Sequence, residues 1–298
     1  MQFALLAAAA ALCAAACGGA QHPGTDEDDT TAEDNAPFHD VRKGFAPTSF
    51  AAKVTGSGRP IIFIAGLGCS GDVWDETIAH LGAGYEAHVL TLSGFAGRPR
   101  IKKALGATVR KELVRYIRSR GLVAPIIVGH SLGGFIAYWL AESAPSRVGP
   151  VGVVDAGPAL SDTNEDTGEQ LRDLWTKTSD DQFAQQVHDV FIGMAADPKK
   201  MAHVIDEVAK SDRQAMGDAV YELTTTDLRE KVARIRAPVL VVLADGGLQQ
   251  QIKAQVEVIP DHQVVVIPHT RHFVMFDDPA GFFRAVDAFL VAHPPTER

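Results

Sequence analysis

Cysteine is scarce in this sequence, with three among 298 residues, at positions 13, 17 and 69. There is no C-x-x-C pair and no H-E-x-x-H motif, and cysteines and histidines do not cluster at the spacing of a metal site. A glycine-rich phosphate-binding loop is missing too. We therefore predict a protein that needs neither metal nor cofactor. For Cys69, the small buried side chain of a folded core is the simplest role.

Clusters of basic residues are also missing, and the formal net charge is -9. Such a chain is not suited to bind nucleic acid or an anionic membrane surface. Six acidic residues lie within positions 26–34, in a polar stretch that contains Gly and Pro. We predict an acidic flexible linker over residues 18–45. The sequence leaves the oligomeric state open.

No hydrophobic run reaches the length of a comfortable membrane span, but residues 1–17 form an apolar segment of signal-peptide length. Small residues precede Cys17, an arrangement that resembles a bacterial lipoprotein box. That resemblance implies that Cys17 is lipidated and becomes the mature N-terminus. Ordinary signal-peptidase cleavage at a small-residue site is the alternative. Either route predicts export to a bacterial periplasm, and the first adds membrane attachment through the lipid.

From about residue 46 to the end at 298, apolar runs alternate with helical patterns, which predicts a mostly parallel, doubly wound α/β sheet. Continuous apolar runs suit strands that are buried on both faces. Six strands are predicted, over residues 60–66, 87–92, 124–129, 149–156, 238–245 and 263–268. Residues 158–235 contain helical pieces and no strand run. We predict a helical cap there, above the sheet edge at which open α/β sheets bind ligands.

One short stretch, "PIIVGHSLGGFIAYWLAE" at 125–142, carries the first sign of chemistry. It reads as a buried strand, a turn with one serine, and a helix. This is the G-x-S-x-G layout, in which glycines flank a nucleophile on a strained strand-to-helix turn. Ser131 is therefore the candidate nucleophile. The alternative is a glycine-rich turn that only allows the helix to pack closely.

Four segments, "IFIAGLGCSGDVW", "GHSLGG", "IRAPVLVV" and "RHFVMFDDPAGFFRAVDAFL", together resemble the α/β-hydrolase family over about residues 48–293. The resemblance implies the α/β-hydrolase fold, with His272 after the last strand as the general base. It also implies an oxyanion hole formed by the backbone N–H groups of Leu67 and Leu132. His130 is expected only to pack, and His269 to be a loop residue.

The acid of the triad is where the sequence departs from the family pattern. The usual position, after the penultimate strand, is Gly247, and Asp245 lies two residues earlier. Some members carry the acid one strand earlier, where this chain has Asp155. Both strand ends are expected to lie beside the elbow strand, so either carboxylate could orient the imidazole. We favour Asp155, with Asp245 as the alternative acid and no working acid as the third possibility. An ordinary loop or turn role is open to each carboxylate.

The sequence thus predicts a serine hydrolase, carboxylesterase-like, that cleaves an ester or similar acyl bond of a small molecule through an acyl-enzyme on Ser131. A non-catalytic ligand-binding protein on the same shell, with a decayed triad, is the alternative. A lipid-anchored scaffold is a third class. Four cap residues are expected either to pack the cap or to line an acyl pocket: Trp175, Phe183, Phe191 and Met194.

Overall fold

A computed structural model of the chain describes residues 45–160 and 164–295. The predicted signal peptide, Cys17 and all but the last residue of the predicted linker lie outside the described residues, so these predictions stay as they are. Within the two described ranges, no helix is both long and apolar enough to cross a membrane.

The sheet has seven strands in the order β1-β3-β2-β4-β5-β6-β7. They are β1 Phe50–Gly56, β2 Gly58–Ile64, β3 Gly84–Leu92, β4 Ile126–His130, β5 Val151–Val154, β6 Val239–Ala244 and β7 His262–Ile267. β1 pairs with β3 in antiparallel fashion, and every other pairing is parallel. This confirms the predicted fold class.

The six predicted strands correspond to β2 through β7, and β1 is the strand that the sequence analysis missed. β4, β5 and β6 are buried along their whole length, because the sheet is covered on both faces and these strands lie inside it. β1 lies at the edge, and four of its seven residues are exposed. An edge strand needs no continuous apolar run, so it lacked the signal by which the others were found.

Ten α-helices accompany the strands in the described ranges. They are α1 Asp75–Leu81, α2 Leu105–Arg120, α3 Leu132–Ser143, α4 Glu165–Thr176, α5 Asp180–Phe191, α6 Ala202–Val208, α7 Arg213–Thr225, α8 Gln249–Val256, α9 Val274–Asp277 and α10 Pro279–Ala292. α2 ends as its sequence predicts, at Gly121, which takes a left-handed conformation with a φ of 66°. Short 3-10 helices occupy Gly71–Trp74, Pro198–Met201 and Lys231–Arg234.

α4 to α7 form the cap, which is inserted between β5 and β6, as the sequence predicts. The predicted cap limits, 158 and 235, fall between those two strands. One contact between the cap and the rest of the chain uses a half-buried carboxylate: Glu222 of α7 accepts hydrogen bonds from the N–H groups of Gly106 and Ala107, at 2.7 and 2.8 Å. These N–H groups belong to the first turn of α2, where helices lack internal acceptors. Burial raises the pKa of Glu222.

Candidate active site

Ser131 lies at the junction of β4 and α3 in a conformation that residues with a side chain rarely adopt. Its φ is 53° and its ψ is -121°. The backbone is held there by a hydrogen bond from the Ser131 N–H to the Val154 carbonyl, at 3.0 Å. Strain of this kind persists only where the surroundings impose it, and it is concentrated at functional sites. The side chain is partly exposed, whereas both sequence neighbours are buried.

The two glycines of G-x-S-x-G are required by close backbone contacts. A Cβ on Gly129 would lie 2.1 Å from the Gly133 carbonyl oxygen, and a Cβ on Gly133 would lie 2.2 Å from that of Ile64. No side chain is tolerated at such distances. α3 can therefore start directly against β4 and β2, which leaves Ser131 alone at the tip of the turn.

His272 and Asp155 meet at the carboxyl edge of the sheet. Nδ1 of His272, in the loop after β7, lies 2.7 Å from Oδ2 of Asp155, which directly follows β5. Their side chains are 21% and 12% exposed. The other carboxylate oxygen, Oδ1, accepts a hydrogen bond from the Ala244 N–H at 2.9 Å. Since a carboxylate only accepts, Nδ1 carries the hydrogen, and Nε2 of His272 is left as an acceptor.

Asp245, the alternative acid, contacts a different residue. Its carboxylate accepts a hydrogen bond from the side-chain amide of Gln249 at 3.2 Å, and the residue is exposed. In residues 45–160 and 164–295, no hydrogen bond joins it to His272. The expectation that both strand ends lie beside the elbow strand was wrong, because β4 pairs with β5 and β6 lies one strand further. Asp155 is thus the carboxylate within reach of the imidazole.

His130 does more than pack: it makes a hydrogen bond that the sequence analysis did not predict. Its Nε2 lies 2.9 Å from the carbonyl oxygen of His272, and the two rings are 4.7 Å apart. Burial, together with the nearby His272 ring, holds the pKa of His130 well below its usual value. The ring is therefore neutral and donates from Nε2 to the carbonyl. Nothing in the sequence marks this contact, which joins residues 142 positions apart.

The predicted oxyanion hole would use the backbone N–H groups of Leu67 and Leu132; Leu132 follows Ser131 in the chain, and Leu67 lines the same pocket as Ser131. Leu132 is the first residue of α3, so its N–H has no acceptor inside the helix. Leu67 follows Gly66, whose backbone passes so close to Ser131 that a Cβ on Gly66 would lie 3.3 Å from that of the serine. Among the described residues, neither leucine N–H donates to a backbone carbonyl.

A pocket beside Ser131 and His272 is lined by both residues. The cap contributes Trp175, Val190, Phe191, Met194 and Leu223, and the rest of the wall includes Leu67, Cys69, His130 and Phe273. Three of the four cap residues named from sequence therefore line it. Phe183 does not, and packs its ring on Trp175 at 5.9 Å.

Cys69 is buried as predicted, and the residue also lines the pocket. Burial raises the pKa of the thiol to about 12, so the thiol stays protonated and unreactive near neutral pH. No group of three or more His, Cys, Asp or Glu residues within the described part of the chain is arranged to hold a metal ion.

Comparison with known proteins agrees with this geometry. The chain matches the Alpha/beta hydrolase family over residues 61–285. A pimeloyl-[acyl-carrier protein] methyl ester esterase from Aliivibrio fischeri (strain MJ11) is 26% identical over 259 residues, which cover 83% of this chain and 99% of the relative.

Solved structures share the fold at lower identity. A structure from a study of Nitrososphaera gargenis carboxylesterases has a TM-score of 0.72 at 18% identity, covering 83% of this chain and 97% of that one. A thermophilic esterase from Thermogutta terrifontis has a TM-score of 0.73 at 17% identity, covering 82% and 94%. With three quarters of its length matched by the family and the elbow, sheet and cap in the expected places, the chain belongs to the alpha/beta hydrolase family.

Proposed function

We propose that this protein is a serine-dependent ester hydrolase of the carboxylesterase type, with Ser131 as nucleophile, His272 as base and Asp155 as acid. The observation that supports it most is the 2.7 Å contact between Nδ1 of His272 and Asp155. This contact leaves Nε2 of the imidazole able to accept a proton, beside a serine held in a strained turn.

The mechanism needs two half-reactions. Oγ of Ser131 attacks the ester carbonyl carbon while its proton passes to Nε2 of His272, and Asp155 stabilises the imidazolium that forms. The backbone N–H groups of Leu67 and Leu132 donate to the oxyanion. His272 then protonates the departing alcohol, and the acyl-enzyme remains. A water molecule, deprotonated by His272, attacks the acyl carbon, and the carboxylic acid leaves as Ser131 recovers its proton.

The pocket wall favours a small ester with an apolar, uncharged acyl or alkoxy group. Among the described residues that line it, those with an ionisable side chain are His130, His272 and the buried Cys69, whose thiol is neutral. A charged group inside would lose its water without gaining a partner, at a cost of several kcal/mol. The relative from A. fischeri is named for a methyl ester, so methyl esters of apolar acids belong among the first substrates to test.

The alternative, a ligand-binding protein with a decayed triad, rested on an acid that fails to reach the imidazole. The hydrogen bond between Asp155 and His272 removes that argument. The cap pocket would serve either protein, so chemistry at Ser131 has to distinguish them.

The test is reaction of the purified protein with a fluorophosphonate, followed by mapping of the adduct by mass spectrometry. We expect one stoichiometric adduct on Ser131, none on a Ser131→Ala variant, and turnover of p-nitrophenyl esters that the same substitution abolishes. A folded protein that takes up no label and hydrolyses no ester in the series would refute the proposal and favour the ligand-binding alternative.

A further inference from the structure

The loop that carries His272 is tied to the cap on both sides of the histidine. Oδ2 of Asp277 accepts a hydrogen bond from the Arg271 N–H, and Oδ1 accepts one from the Ala196 N–H, each at 2.7 Å. Asp277 ends α9, and Ala196 lies in the cap between α5 and α6. One carboxylate therefore joins the residue before His272 to the cap.

Two further hydrogen bonds join the same cap segment, residues 193–196, to this loop. The Phe273 N–H donates to the Met194 carbonyl at 3.0 Å. The guanidinium of Arg271 donates to the Gly193 carbonyl at 3.1 Å. The backbone is thus held immediately before and immediately after His272.

We propose that Asp277 is a positioning residue for His272, acting through the Arg271 N–H and bracing the histidine loop against cap segment 193–196. The proposal rests on the function proposed above, since it assumes that His272 is the base. Asp277 is not among the residues that line the pocket, and among the described residues no hydrogen bond joins its carboxylate to the imidazole, so its effect passes through the backbone of the loop.

These hydrogen bonds explain how the imidazole of His272 keeps its orientation between Asp155 and Ser131. Asp155 holds Nδ1 from β5, but one hydrogen bond leaves the ring free to swing with its backbone. The carbonyl of His272 is held by His130, and the adjoining N–H groups are held by Asp277 and Met194. A shift of about 1 Å in a reacting group costs on the order of 10²-fold in rate. Both cap and loop therefore have to stay in place for the base to work.

The same ties couple the pocket wall to the base. Met194 and Phe273 both line the pocket, and they are the two residues joined by the backbone hydrogen bond. Displacement of cap segment 193–196 therefore pulls on the residue next to His272. The cap is a support for the catalytic loop at this point, and not only a cover.

The neighbouring residue, Asp278, provides a matched control. Its carboxylate accepts a hydrogen bond from the Gly281 N–H at 2.9 Å and caps the start of α10, so it stabilises a helix; among the described residues its carboxylate has no hydrogen bond to the histidine loop. Asp278→Ala should lower the melting temperature and leave kcat unchanged. Asp277→Ala should lower the melting temperature as well, so stability alone does not separate the two roles.

The experiment measures kcat, KM, the rate of fluorophosphonate labelling at Ser131 and the melting temperature for Asp277→Ala, Asp277→Asn and Asp278→Ala. For Asp277→Ala we expect kcat and the labelling rate to fall about 10- to 100-fold with little change in KM, because substrate binding is intact and the base is displaced. Asp277→Asn keeps the size of the side chain but offers one acceptor oxygen instead of two. It should fall between Asp277→Ala and the unsubstituted protein, and it remains informative if the alanine variant does not fold.

Equal kcat and labelling rates in the unsubstituted protein and in the folded Asp277 variants would overturn the role of Asp277 and leave the proposed function standing. A loss of kcat in Asp278→Ala as large as that in Asp277→Ala would also overturn it, because the effect would then be general destabilisation. If the unsubstituted protein is neither labelled nor active, the proposed function and this inference both fail.

Discussion

Substitution of Asp155 by asparagine has a defined outcome, because the Ala244 N–H decides which way the new amide points. In the native site, Oδ1 of Asp155 accepts from Ala244 at 2.9 Å, and Oδ2 faces Nδ1 of His272 at 2.7 Å. Asparagine retains the first hydrogen bond only if its carbonyl oxygen faces Ala244. Its NH2 group is then directed at Nδ1, which has to become the acceptor. The ring hydrogen moves to Nε2, and the base can no longer take the serine proton.

The expected cost follows from this change of tautomer. The equivalent substitution in the serine protease triad lowers kcat by about 10⁴-fold. We expect Asp155→Asn to lower kcat here by about 10³- to 10⁴-fold, or roughly 4 to 5.5 kcal/mol of activation free energy. Asp155→Ala removes the carboxylate without imposing the wrong tautomer, so it should retain more activity than the asparagine variant.

The assay is steady-state hydrolysis of a p-nitrophenyl ester together with the rate of fluorophosphonate labelling, each on protein whose fold is checked by thermal unfolding. Asp245→Asn is the matched control, since Asp245 is exposed and bonded to Gln249, and we expect it to keep its activity. The reasoning is refuted if Asp155→Asn stays within about tenfold of the unsubstituted protein. A large loss in Asp245→Asn instead would assign the acid to that residue.

Two further predictions concern stability. In Gly152→Ala, the new Cβ in β5 would meet the Val128 methyl groups at 3.5 and 3.7 Å, within an apolar cavity under α10. We therefore expect about 0.5–1 kcal/mol of stabilisation and a higher melting temperature. A lower melting temperature would contradict this packing. Burial raises the pKa of Glu112, but hydrogen bonds from Thr48 and Ser49 outweigh it and hold that pKa below its ordinary value. The stabilisation that these hydrogen bonds give is present above the unfolded-state pKa of Glu112 and is lost as pH falls through its folded-state pKa. Glu112→Gln should therefore lower the free energy of unfolding by about 1–3 kcal/mol at neutral pH, and by less at a pH low enough to protonate Glu112 in the folded protein. Denaturant unfolding at several pH values measures this. An equal loss at every pH would contradict the prediction.

Much of the fold was predictable because its signals are local. The inner strands consist of continuous apolar runs, since a parallel sheet covered on both faces buries every side chain. The elbow was predictable for a similar reason: the glycines at 129 and 133 are required by backbone contacts a few residues away or with the adjacent strand. β1 was missed because it is an edge strand with four exposed residues, and such a strand needs no continuous apolar run.

The nucleophile and the base of the candidate site were predictable from sequence, but its acid was not. Ser131 and His272 follow recognisable strands, but Asp155 and Asp245 are both carboxylates at strand ends, and no local signal ranks them. The contacts of His130 with the His272 carbonyl and of Asp277 with Ala196 were also beyond prediction, because each joins residues far apart in the chain.

The sequence by itself therefore determined the α/β alternation, the helical insertion after β5, the elbow serine and the histidine after the last strand. These features depend on hydrophobic periodicity and on backbone geometry within a few residues. Only the tertiary structure decided which carboxylate holds the imidazole, which cap side chains line the pocket, and how the cap braces the histidine loop. Strand order brings Asp155 next to β4 and leaves Asp245 one strand away, and strand order is a property of the folded sheet rather than of any single segment.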